Sequence, residues 1–500
     1  MKQIMAFATC AMLTVSWGAS HACGQISRGR QILLDRGLQI QAMVFFNQPG
    51  VANPDLDLFQ SANFTAINLW EAQNPTLPSQ LPANLPWGRQ YIPGTNAPST
   101  YLFTEELPYV PRLVSLQYAD EIAEFPEWRL QDIAQAFQYW KASYPDMLSY
   151  TNFGGQTGMI GGAELTNFMN VTRPDMLSFD VYPHRFGRPL SDWYESMQVY
   201  RVAALGGFEI SPGVNSGPLP YAQYLYTGRD TMDSPLPTES FIRLQQNASW
   251  AFGYTFVNAY IYNAYNEANP SAMFTGMGDA NPTPVFDDVK ETNRQSLNLG
   301  PALVRLMSTD VRFATGRHPN GNIFDSDGEA NPLPAGLTRA SAATGWGHPF
   351  ITNVSVTNLG DINQQSYYLS KRSLPGDVIL GFFKALQGPD ASNEAYFMIV
   401  NGLTEEDGAA AGDTLQRISI GFNFGDSGIT GLQRLDRLTG QVELVPLIHD
   451  GGSAYHLDLN LDGGEGDLFK FNTGTTFVPE PTMAAVLMSI LALLRRRVRY

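Results

Sequence analysis

Between about residues 30 and 315, short apolar runs alternate with amphipathic stretches. No other feature limits the fold as much, because this alternation favours a parallel sheet joined by crossover helices. The runs are 38–46 (LQIQAMVFF), 64–70 (FTAINLW), 113–118 (LVSLQY), 147–152 (MLSYTN), 176–182 (MLSFDVY), 218–225 (PLPYAQYL) and 255–262 (TFVNAYIY). Between them lie helical stretches at 126–143 and 191–205, one from Pro237 to Phe252, and one at 284–307. Phe137, Trp140 and Tyr144 form the apolar stripe of the first. Thr238 or Ser234 caps the third, with Pro237 suited to a first turn. Residues 71–110 are rich in Pro, Asn and Gly and have room to hide a third strand. Seven visible strands plus that one predict a (β/α)8 barrel, which typically takes about 250 residues. The competing arrangement is a doubly wound open sheet; long inserts after several strands, and polar or aromatic strand ends, favour the barrel.

The texture changes after residue 315. Gly, Asn, Asp and Pro dominate 316–350, which reads as linker and long loops. Short alternating strands follow at 377–383, 396–400, 417–422, 442–447, 454–461 and 467–471, and 405–412 reads as a loop. This spacing predicts an antiparallel β-sandwich over 351–474.

The two ends read as targeting segments. Lys2, an apolar stretch from Ile4 to about Trp17, and the small residues Ser20 and Ala22 make 1–22 a secretory signal. Cys23 directly after the cleavage point would suit a lipidated cysteine, but Ser20 stands where a leucine-like residue belongs. At the other end, Val478 leads into Pro479-Glu480-Pro481, then an apolar run from Met483 to Leu494, then Arg495-Arg496-Arg497. This resembles the PEP-CTERM sorting signal of Gram-negative-type bacteria over 478–500. The positive-inside rule keeps the arginines on the cytoplasmic side of such a helix. The run spans about 18 Å against a hydrocarbon core of roughly 30 Å, so Thr482 and snorkelling arginines would make up part of the difference. The resemblance implies an exosortase-type processing enzyme as partner, transient anchoring through this helix, and a protein exported to the cell envelope or beyond.

A net charge of −16 argues against nucleic acid and anionic lipid as partners, and 44% hydrophobic residues support a large core. Of the two cysteines, Cys10 lies inside the signal, so the mature chain has no internal disulfide. No Cys/His cluster has zinc spacing and no Gly-rich loop follows a strand, so neither metal nor cofactor is expected. Asp325, Asp327 and Glu329 alternate in the Asn/Asp/Gly-rich stretch, yet their spacing fits no calcium loop.

In a (β/α)8 barrel the chemistry sits where the strands end. The polar and aromatic residues there are Trp70 and Glu71, Asp120 and Glu121, Asp180 and Tyr182 with His184 beyond, Gln223, and Tyr262 with Asn263. Trp70 and Tyr262 suit sugar stacking or barrel packing equally. His184, His348 and His449 are assigned no role.

Several of these segments resemble the retaining glycoside hydrolase clan of (β/α)8 barrels, in particular its β-galactosidase-like and agarase-like members. YADE (118–121) resembles the clan's fourth-strand end, where Glu is the general acid/base. FDVYP resembles the sixth strand. PLPYAQYL and the stretch from Pro237 to Ala264 resemble the seventh strand, its helix and the eighth strand. The resemblance implies Glu121 as acid/base, with Asp120 orienting it, and a polysaccharide as substrate. It departs from the clan at the seventh strand, where the nucleophile belongs and Gln223 stands. Hydrolysis needs two carboxylates, about 5–5.5 Å apart for retention and about 6.5–9.5 Å for inversion. The second is then Asp180, Glu71, Glu209 or Glu239; Glu239 is also explained by a helix first turn. Without one, the barrel binds polysaccharide without cutting it, or the protein is a structural component of the cell surface.

Overall fold

A computed structural model describes residues 26–47, 52–70, 78–91, 101–122, 124–154, 161–183, 190–229, 231, 236–264, 266, 270–314, 333–360, 377–404, 411–429 and 431–478. The sequence-predicted signal, the sorting motif with its arginines, Glu71, His184, Ser234 and the Asp325–Glu329 stretch lie outside the described residues. Among the described residues, no helix is long and apolar enough to cross a membrane.

The alternating segment forms a parallel barrel. Its strands are β1 (Gln39–Val44), β2 (Ala66–Leu69), β3 (Trp87–Tyr91), β4 (Leu113–Tyr118), β5 (Leu148–Tyr150, continued by Asn152–Gly154), β6 (Leu177–Asp180), β7 (Tyr221–Tyr226) and β8 (Phe256–Tyr260). Pairing runs without a break from β4 through β3, β2, β1, β8 and β7 to β6. The two halves of β5 close the ring: Leu148–Tyr150 pairs with β4 and Asn152–Gly154 with β6. The strand hidden in the Pro- and Asn-rich stretch is β3. Its apolar content is low because Arg89 is buried in an ion pair with Glu106, so a charged residue occupies a core position.

The helices are α1 (Arg28–Arg36), α2 (Leu56–Ser61), α3 (Glu127–Ser143), α4 (Gly162–Thr172), α5 (Leu190–Gly206), α6 (Glu239–Phe252) and α7 (Pro284–Leu303). Thr238 caps α6 by accepting from Phe241 N, leaving Glu239 in the first turn, where it pairs with Arg243. Helix α1 closes the end of the barrel where the strands begin. Its Ile32 and Leu33 pack with Leu148, Tyr150, Met176, Ala222 and Phe256.

Two sheets follow, starting at Leu306, antiparallel except where Thr338–Ala340 pairs parallel with Leu306–Ala314. The larger has seven strands, in the spatial order Thr338–Ala340, Leu306–Ala314, Val378–Ala385, Tyr396–Asn401, Gly466–Phe471, Leu432–Leu435 and Val442–Val445. The smaller has four: Ile351–Asn358, Gln416–Asn423, Ala454–Leu461 and Ile448–Gly451. Strand Leu306–Ala314 begins where periodicity continues the closing helix, because α7 stops at Leu303 and the chain turns directly into the sheet.

Alternation along Val378–Ala385 shows how the layers stack. Val378, Leu380 and Phe382 face the smaller sheet, whereas Ile379 and Phe383 belong to the core shared with the barrel helices. A β-carbon on Gly381, on that second face, would overlap the carbonyl of Ala251 in α6, so the sheet lies directly on α6.

Candidate functional site

Side-chain parity decides which strand residues reach the barrel mouth. Along β7, Ala222 belongs to the bottom cluster and Tyr224 and Tyr226 to the mouth cluster, while Tyr221 and Leu225 face the helices. Gln223 shares that outward parity. Its Oε1 accepts from Trp193 Nε1 at 2.7 Å and its Nε2 donates to Ser249 Oγ, so it ties β7 to α5 and α6 and does not line the site. The expected place of Gln223 at a nucleophile position is therefore corrected by one residue of parity. The mouth-facing residues of β7 are tyrosines.

Beyond the end of β8 at Tyr260, packing removes two more expected contacts. Tyr262 is fully buried on the helix side of the barrel against Phe59, Phe64 and Phe274, and its hydroxyl donates to Asp279. Asn263 is also fully buried. It accepts from Phe45 N at 3.0 Å and donates to Phe45 O at 2.9 Å, which satisfies the backbone just beyond β1. Glu209 is exposed in the hairpin Glu209–Ser211/Val214–Asn215 and accepts from Gly213 N. That hairpin precedes β7 and so lies at the opposite end of the barrel from the mouth.

Asp120, Glu121 and Asp180 come to neighbouring strand ends. β4 ends in a tight turn with Ala119 at φ 55° and Glu121 at φ 45°, left-handed values that non-glycine residues seldom adopt. This turn points Asp120 inward and lays Glu121 over Gly154, where a β-carbon would come within 2.8 Å of Glu121 Cβ. Gly154 is in register with Asp180 on β6, which places Glu121 beside Asp180. Glu121 is exposed, Asp120 half-buried and Asp180 buried.

The surroundings set the charge. Burial, then the neighbouring Asp120 and Glu121, push the Asp180 carboxyl well above the usual carboxylate range. Burial also raises Asp120, to about 7, against hydrogen bonds from Asn152 and Gln117 that favour its charged form. Asn152 Nδ2 and Gln117 Nε2 each donate to Asp120 Oδ1 at 2.9 Å. Asp180 Oδ1 has no hydrogen-bond partner among the described residues. No three His, Cys, Asp or Glu side chains among those residues, this trio included, are placed to hold a metal ion.

Across the mouth stands an aromatic wall. Tyr182 stacks on Tyr260 with centroids 5.5 Å apart and packs on Tyr226 at 5.3 Å. Trp70 and Phe45 meet edge to face at 6.5 Å. With Met43, Tyr224, Phe241 and Ile261 these rings form one cluster, in which Trp70 and Tyr260 stay partly open to solvent.

Beneath it, the barrel interior carries amides where apolar layers are usual. Gln41 and Asn258 are in register on adjacent strands, as are Gln90 and Gln117, and all four are buried. Gln117, Asn152, Tyr224, Tyr226 and Tyr260 were not anticipated as site residues. Their signal is a polar or tyrosyl side chain at alternate positions of a buried strand.

No protein-family model matches the chain, and no curated protein does. Among solved structures, similar ones include the catalytic module of a family 98 glycoside hydrolase from Streptococcus pneumoniae TIGR4, at 11% identity and TM-score 0.38, covering 89% of this chain and 99% of that one. A GH2 β-galacturonidase from Eisenbergiella tayi matches at 12% identity and TM-score 0.35, covering 51% of each chain. A β-galactosidase from Halorubrum lacusprofundi matches at 10% and 0.38, covering 53% of this chain and 59% of that one. This chain thus spans about half the length of the two latter proteins. Likeness at this level does not extend to activity.

Proposed function

We propose that this protein is an exported, glycoside hydrolase-like protein that acts on a polysaccharide. The observation that carries the reading is the meeting of Asp120, Glu121 and Asp180 at the ends of β4 and β6 with the aromatic cluster of Trp70, Tyr182, Tyr226 and Tyr260 at the same mouth of the barrel. Aromatic faces suit the apolar faces of sugar rings, and carboxyl groups of unequal proton affinity suit acid and base roles. In this reading a protonated carboxyl donates to the leaving oxygen while a carboxylate attacks the anomeric carbon or activates water. Burial raises Asp180, which suits the acid, and Glu121 stands beside it, open to solvent. The signal-like start and the PEP-CTERM-like tail support export and processing by an exosortase-type enzyme.

A second reading is favoured by β7, which presents Tyr224 and Tyr226 to the mouth where the resembled clan places its nucleophile. A barrel so built would hold polysaccharide without cutting it. Hydrolysis of a panel of aryl glycosides and algal or bacterial polysaccharides separates the two. If the chain is an enzyme, Glu121→Gln and Asp180→Asn each lower kcat/KM by about 10²-fold or more. Retention of polysaccharide in a pull-down with no cleavage by the unaltered protein establishes the binder. Full activity in both variants would sink the assignment of these carboxyls.

A further inference from the structure

Beyond the strand Gly466–Phe471 the chain forms no further helix or strand among the described residues, yet it stays on the fold as far as Val478. Asn472 N donates to Gly431 O at 3.0 Å, and Gly474 takes φ 82°, the left-handed value of a turn. Beneath the segment, Lys470 and Tyr396 are partners on adjacent strands and both are fully buried. The Lys470 ammonium has three protons to donate. One goes to Asp390 Oδ2 at 2.8 Å, and the other two go to Thr475 Oγ1 and Thr476 O. Thr475 Oγ1 donates in turn to Asp390 Oδ2 at 2.8 Å. Tyr396 Oη donates to Phe477 O at 2.9 Å, and the two rings meet edge to face with centroids 5.7 Å apart. Phe477 is 3% exposed, and Val478 packs partly against the same core.

We propose that residues 473–478 are a strap, docked on Lys470, Asp390 and Tyr396, that stops proteolytic trimming of the chain at Val478. Lifting the strap takes away two of the three acceptors of Lys470 and uncovers the Phe477 ring at the same time, so its contacts are lost together. A protease cuts backbone that has opened, so docked residues are cut only while they are off the sheet. Four residues, 479–482, separate Val478 from the apolar run that starts at Met483. Fully extended they reach about 14 Å. An enzyme removing the tail at a membrane therefore works close against the docked end, and the strap fixes how far back it can cut. For its biological meaning the inference rests on the reading of 478–500 as a processed tail. In that reading, loss of the tail leaves a C-terminus still bound to Tyr396 and a core still closed over Lys470.

Limited digestion of the full chain in detergent micelles with proteinase K, followed by intact mass, tests this. The unaltered protein is expected to give a persistent product whose C-terminus lies at Val478 or a few residues beyond. Phe477→Ala removes the ring that seats the strap, and its end retreats to about 472–474, with trimming past Val478 faster by about tenfold or more. Thr475→Val keeps the shape of the strap, loses its hydroxyl bonds to Asp390 and Lys470, and speeds trimming by less. Each variant is digested at a temperature where its circular dichroism is native, so that faster trimming reports the strap and not global unfolding. An unaltered protein trimmed past Phe477 as fast as Phe477→Ala overturns the proposal. So does an unchanged trimming rate in both variants. The protease is added, so a tail that no exosortase-type enzyme removes sinks the processing reading while the strap stands or falls by itself.

Discussion

At the scale of single residues, burial at the site acts on proton affinity. Asp120 and Asp180 both have proton affinities raised first by burial. The folded state therefore binds protons more tightly than the unfolded chain, where an aspartate titrates near 4. The stability this contributes is fully present below the unfolded value, and the share of Asp120 is lost as pH rises through about 7. Asp120→Asn removes the charge and can still accept at Oδ1. Melting temperatures measured at pH 4 and pH 8 should therefore show the variant gaining on the native protein at pH 8. Equal differences at both pH values would mean that the carboxyl is solvated as freely as in the unfolded chain.

At the scale of elements, the sequence showed most of the barrel through period-two and 3.6-residue patterns. Strands β1, β2, β4, β6 and β8 fall within the apolar runs, β5 and β7 overlap theirs and end one or two residues beyond, and α3, α5 and α6 start within a residue or two of their signals. Helices α1, α2 and α4 lie outside the expected helical stretches, and β3 was legible only as room for a strand. β3 carries a charged residue at a core position, so its apolar pattern is broken. Helix α1 is short, and its work is tertiary: Ile32 and Leu33 fill the base of a barrel formed by residues more than a hundred positions away. This plug should be costly to lose. Leu33 is 1% exposed, and Leu33→Ala is expected to destabilise by about 2–5 kcal/mol in urea unfolding, with the loss growing if the site fails to collapse. A change below about 1 kcal/mol would show that α1 does not seal the barrel.

For the whole molecule, barrel and sandwich share one core. It runs from Phe137 and Trp140 through Trp250 and Phe252 to Phe313, Ile379, Phe383 and Met398. Polar contacts bind the same interface: Asn247 Nδ2 donates to Gly464 O at 2.9 Å, and Arg437, held within the sandwich by Glu465 at 2.7 Å, donates its Nε to Gln295 Oε1 at 3.0 Å. A shared core of this kind predicts one cooperative heat transition followed by both tyrosine and backbone signals. Gly381→Ala forces a β-carbon against α6, and a cost of about 1–3 kcal/mol is expected. Two separated transitions, or an unchanged melting temperature in Gly381→Ala, would show that the sandwich unfolds as an independent module.

The sequence by itself determined the class of fold and where its chemistry lies. Alternation of periods is a local property, and strand ends follow from it, so YADE and FDVY were legible as mouth residues before any packing was known. Tertiary structure alone decided which side chains face one another. Parity along a strand buried on both faces leaves no contrast between apolar and polar sides, so LQIQAMVFF and PLPYAQYL do not say which residues point inward. That is why Gln223 was expected at the mouth and packs elsewhere, while Tyr262 and Asn263 lie beyond the end of β8, and Gln117, Asn152 and Tyr224 meet around Asp120. The grouping of Asp120, Glu121 and Asp180 depends on ring closure through β5, which pairs with β4 and with β6, contacts between segments about thirty residues apart that no local pattern encodes.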